Sequence, residues 1–167
     1  MLIGLILILS LGTLVSCYSP ISQASTGDNN TEVIVLHKAT YQQVIDFLAT
    51  DNTDAYTYSL KDFDCTDFAI QLRTDAIKDN IECGVAILSL ENPDGELAEY
   101  DHAINVFDTS DKGLVYVEPQ ADGTFDIAPS IGLGMTEFYK HMHTNYNIDP
   151  SSLDYGSQLI YKIRYIW

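Results

Sequence analysis

Positive charge is scarce in this sequence: 8 lysines and arginines stand against 24 aspartates and glutamates, for a formal net charge of -16. A field of that sign repels polyphosphates, which excludes nucleic acid as a natural ligand. The acidic residues are scattered rather than run together, and they read as a solvated surface with no functional content of their own. Internal repeats are absent as well. With 46% apolar and 19% charged residues the chain has an ordinary globular composition, which excludes disorder along most of its length. Its 167 residues suffice for one domain with a core but are short for two.

Charge of either sign is missing from Met1 to Val15, an apolar run that stops at Ser16-Cys17. A bilayer-spanning helix usually needs roughly 20 apolar residues, so the run has the length of a signal-peptide core. Its last four residues, Leu14-Val15-Ser16-Cys17, resemble the lipobox of bacterial lipoproteins. The resemblance implies a signal peptide over residues 1–16, lipidation at Cys17 and an extracytoplasmic domain anchored to the membrane by that lipid. No lysine or arginine precedes the apolar core, and the alternative is an uncleaved anchor helix. Either arrangement puts the body of the chain outside the cytoplasm. Residues 17–31, rich in Ser, Gly, Asn and Thr, read as a flexible tether, and the folded domain occupies 32–167.

Val33 to Leu36 is a short β-prone run. Apolar residues at Tyr41, Val44, Ile45 and Leu48 have helical spacing, with Thr40 placed to cap the helix. The polar stretch from Asp51 to Asp64 reads as a loop. A second helix follows, because Phe68, Ala69, Leu72 and Ala76 fall on one face and Asp64 can serve as its N-cap. Cys65 then sits in the first turn, where unpaired backbone N–H groups and the positive end of the helix dipole favour a thiolate. Three β-prone runs, Gly84 to Leu90, Glu99 to Phe107 and Leu114 to Val117, are separated by turn formers and predict an antiparallel meander. A short helix around Thr136 to His141 and a closing strand over Leu159 to Trp167 complete the pattern.

A cysteine nucleophile needs a base for its proton, and the base works best when a third group fixes its tautomer. The chain offers CTDFAIQLRTDAI on the helix, HAINVF on a strand and VYVEP on the next. In order and spacing these segments resemble the transglutaminase-like superfamily of papain-like folds. The resemblance covers about Asp64 to Gln120. It implies an α+β fold in which an antiparallel sheet packs on a buried helix opened by the cysteine. It also implies Cys65 as nucleophile, His102 as general base and acid, and Glu118 as the residue that orients His102. The activity it implies is cysteine-dependent acyl transfer through a thioester, by a protease or amidase acting on a protein or peptide substrate, or by a transferase that passes the acyl group to an amine. No cofactor and no metal belong to that chemistry. The backbone N–H of Cys65 is the natural first donor of an oxyanion hole, and Tyr56, Tyr58 and Lys61 are candidates by position for the second.

Other readings stand beside this one. Cys65 and Cys83 could form a disulfide in an oxidising compartment. His102 alternates with Ile104 and Val106 and could be a satisfied core histidine, while Asn105 points the other way along the strand. His141 and His143 could share a metal, although no further ligand lies near them in sequence. A chain built this way could also be a non-catalytic surface lipoprotein, a binding or scaffolding module.

Overall fold

Six antiparallel strands form one sheet in the order β5-β4-β3-β2-β1-β6. The computed structural model describes residues 34–144 and 155–167, all within the unit Val33–Trp167. The expected signal peptide (1–16), the lipidation site expected at Cys17 and the expected tether (17–31) lie outside the described residues.

The first helix, α1 (Tyr41–Leu48), is held by a capping box: Thr40 accepts from the Gln43 backbone N–H and Gln43 accepts from that of Thr40. It buries Val44, Phe47 and Leu48. The β-prone run before it forms no strand: Ile34, Val35 and Leu36 are exposed, and only His37 makes a single parallel bridge, to Ile81. After a 3-10 turn at Thr53–Ala55, α2 (Cys65–Lys78) starts on the Asp64 cap. The meander follows as β1 (Cys83–Glu91), β2 (His102–Thr109) and β3 (Gly113–Glu118), and it continues into a three-residue strand, β4 (Gly123–Phe125). Helix α3 (Met135–Tyr139) and the two-residue β5 (Met142–His143) lead to β6 (Leu159–Ile166), which returns along the free edge of β1.

Both faces of the central strands are covered. Along β2 the odd residues face α2 and α1: Ala103 packs with Ala69 and Val85, and Phe107 with Leu72, Phe47 and Val117. The even residues Ile104 and Val106 face α3, in a core with Leu88, Ile160, Met135, Phe138 and Tyr139. The parity puts His102 on the α3 side. Asn105 lies opposite Val117 on β3, so Glu118, one residue further, is turned to the same face as His102.

The expected transglutaminase-like, papain-like fold class is corrected here. Helices and strands are both present, so α+β describes the composition, but the architecture is a sheet with short helices on its two faces, and α2 is not a buried helix. Only Phe68, Ala69, Leu72 and Ala76 of α2 are buried. Asp67, Ile70, Thr74 and Lys78 are exposed, and a helix with that many solvated positions lies on a sheet as an outer layer.

Candidate active site

Asp64 fixes the start of α2. Its carboxylate accepts from the backbone N–H of Thr66 (2.7 Å) and Asp67 (3.3 Å), and Asp67 Oδ2 accepts from the Asp64 N–H (3.0 Å). Cys65 is therefore the first helical residue. Its side chain is half-buried, packs against Ala69, Val85 and Ala103, and donates weakly to the Asp101 carbonyl, 3.8 Å away.

The residue after Asp101 opens β2, and it is His102. His102 and Glu118 are almost fully buried, at 2% and 1% exposure, and His102 Nε2 lies 2.9 Å from Glu118 Oε2. Two tyrosines complete the cluster. The Tyr139 hydroxyl donates to Glu118 Oε2 and lies 2.8 Å from His102 Nε2. The Tyr155 hydroxyl lies 2.9 Å from His102 Nδ1, with its ring edge-on to the imidazole.

Burial opposes a charge on the His102 ring, but the Glu118 carboxylate, assisted by the nearby Cys65 side chain, outweighs it and raises the pKa from 6.5 to about 9. His102 keeps its proton at neutral pH. Burial, followed by the charge of Glu118, pushes both tyrosine hydroxyls upward, so they stay neutral donors.

A cavity of about 790 Å³ opens on this cluster, and Cys65, His102, Tyr155, Gln120, Tyr58 and Asp101 contribute to its wall. The three residues read from the sequence are thus brought together: Cys65 from the α2 face of the sheet, and His102 and Glu118 from the α3 face. They meet at the end of the sheet where β2 begins. Asn105 is turned away, donating to the Ala69 carbonyl at 2.9 Å. Of the three candidates for a second oxyanion donor, Tyr58 lines the cavity, whereas Tyr56 and Lys61 do not. Cys65 and Cys83 are free thiols in separate packing clusters. Burial pushes the Cys83 thiol up to about 12. His141 lies beside Glu137 and His143 pairs with Asp126. Among the described residues no group of three or more His, Cys, Asp or Glu is placed to hold a metal ion, and no helix is long and apolar enough to cross a membrane.

Tyr139 and Tyr155 escaped the sequence reading. The chain has eleven tyrosines. Their one local signal is that Tyr139 sits four residues after Met135, on the same side of a short helix.

No family model and no curated protein matches the chain. It is similar over 53% of its length to a solved structure of Polyporus squamosus lectin bound to a human-type influenza-binding epitope, at 20% identity and a TM-score of 0.43. It is also similar over 52% of its length to a PSL1a-E64 complex, at 19% identity and a TM-score of 0.41. The chain spans about a third of the length of each, 34% in both cases.

Proposed function

We propose that the chain is a cysteine-dependent acyl-transfer enzyme that hydrolyses an amide in a peptide or protein. The observation that carries this is that Cys65 and His102 line one cavity, with His102 held from behind by the buried Glu118 carboxylate. In the reaction, the proton of the Cys65 thiol rests on His102 in a thiolate–imidazolium pair, and the sulfur attacks the amide carbonyl. The tetrahedral oxyanion takes a hydrogen bond from the Cys65 backbone N–H at the start of α2. His102 returns the proton to the departing amine as the C–N bond breaks, leaving a thioester. Water, deprotonated by His102, then attacks the thioester and releases a carboxylic acid and the thiol. An amine in place of water would give transfer. Glu118 accepts from His102 Nε2, which holds the ring in place and balances its charge in a site that excludes solvent.

The exported, membrane-anchored state expected from the residues around Cys17 belongs to the same proposal. Labelling by a radioactive fatty acid that is lost in Cys17→Ser supports it, and labelling that survives the change contradicts it.

A library of fluorogenic peptide amides presented to the purified chain tests the activity. Amine release that disappears in Cys65→Ala and persists in Cys83→Ala is the expected result. Release that survives Cys65→Ala contradicts the reading.

A further inference from the structure

Glu118 and Tyr139 both engage Nε2 of His102, which leaves Nδ1 as the nitrogen through which the ring must serve Cys65. In the structure that nitrogen is taken. The Tyr155 hydroxyl lies 2.9 Å from it and 3.4 Å from Nε2, while the Cys65 sulfur points its weak hydrogen bond at the Asp101 carbonyl. Tyr155 stands near enough to Cys65 for a thiolate there to raise its own pKa. A hydroxyl is both donor and acceptor, so its claim on Nδ1 persists in either state of the ring. Beside a neutral ring it donates to the Nδ1 lone pair. Beside a charged ring its oxygen accepts the Nδ1 proton.

We propose that Tyr155 is a positioning residue that competes with Cys65 for His102 Nδ1 and restrains the thiol until the cavity is filled. Its side chain forms part of the cavity wall, so a substrate that seats beside Cys65 meets this ring first. Displacement of the hydroxyl from Nδ1 then releases the histidine to the sulfur. A site guarded in this way would spare its nucleophile from small electrophiles and oxidants when no substrate is bound. Tyr155 differs from Tyr139 in this respect. Tyr139 shares the Glu118 side of the ring, where its hydroxyl supports the pair, whereas the Tyr155 hydroxyl lies closest to Nδ1. The inference rests on the reading that Cys65 works through His102.

The test is the iodoacetamide modification rate of Cys65 in the full chain, followed by peptide mapping across pH, for the wild type, Tyr155→Phe, His102→Ala and the double variant. Removal of a competing neutral hydrogen bond is expected to accelerate modification by about fivefold in Tyr155→Phe and to move the pH profile to lower pH. The acceleration should vanish in the His102→Ala background, because the effect acts through the ring. Tyr155→Phe keeps the ring and its packing, and an unchanged urea midpoint separates the effect from loosening of the fold. An unchanged or slower rate in Tyr155→Phe overturns the proposal, as does an acceleration that persists without His102. Failure of the underlying reading looks different: His102→Ala would then modify at the wild-type rate.

Discussion

The Tyr139 hydroxyl and His102 Nε2 lie 2.8 Å apart and both turn to one oxygen of Glu118, Oε2. Two donors on a single buried carboxylate oxygen make a cluster whose parts depend on one another. Tyr139→Phe removes one donor while the ring goes on filling its place against Phe125 and Phe138. The expected cost is about 1–3 kcal/mol of unfolding free energy, the usual penalty for stripping a partner from a buried polar group. Urea denaturation measures it, and an unchanged midpoint would show that the hydroxyl contributes nothing to the cluster.

The buried pair makes stability depend on pH in a defined direction. Because the pKa of His102 is raised from 6.5 to about 9, the folded chain holds this proton more tightly than the unfolded chain does. The resulting stabilisation is complete below the unfolded value of 6.5 and is lost as pH rises through about 9. The urea midpoint should therefore fall across that window. Glu118→Gln removes the charge that holds the proton, so the fall should shrink in that variant. A wild-type midpoint that is flat over the same window would contradict the assignment.

Asp122 should contribute in the opposite variant experiment. Burial, with Asp54 and Asp51 nearby, raises its pKa to about 7, and its Oδ1 has no hydrogen-bond partner among the described residues. An acid held protonated by the fold costs stability as pH rises from its ordinary range to the raised value. Asn carries no charge and tolerates the left-handed backbone at this position, where φ is +45°. Asp122→Asn is expected to raise the thermal midpoint above neutral pH and to leave it unchanged in acid. A variant that is no more stable than wild type above neutral pH would show that the carboxylate is comfortably solvated.

The nucleophile's setting also has a local test. Asp64→Ala strips the cap that accepts from Thr66 and Asp67. A loss of about 1 kcal/mol is the usual cost of such a change, and it falls on the turn that presents Cys65. A slower iodoacetamide rate at Cys65, with Cys83 unaffected, is the expected accompaniment. An Asp64→Ala chain with wild-type stability and labelling would remove the cap from the account.

The parts of this fold that could be read from the sequence are those governed by local rules. Helices α1 and α2 were legible in their periods and in the caps Thr40 and Asp64, because capping is settled within four residues. The central strands were legible from their apolar runs and turn formers. Strand β4 was not: three residues that open on a glycine carry no period to detect. The orientation of β2 was also hidden, since residues on both its faces are buried and alternation then loses its meaning. The buried helix implied by the resemblance failed against the charged and polar residues that keep most of α2 at the surface. In the site, Cys65, His102 and Glu118 were visible as a sequence order. Tyr139 and Tyr155 were not, because a tyrosine hydroxyl acquires its role only from the tertiary partners it meets.

The most direct test of the central claim, that Cys65 is a nucleophile served by His102, is iodoacetamide modification of the full chain without reductant, resolved by peptide mapping. Cys65 should react selectively while the buried Cys83 stays unmodified, and His102→Ala should slow Cys65 by about tenfold or more, in line with the loss of a positioned base. Equal rates in wild type and His102→Ala would contradict the account. So would a chain in which neither Cys65 nor Cys83 reacts and the intact mass is two protons light.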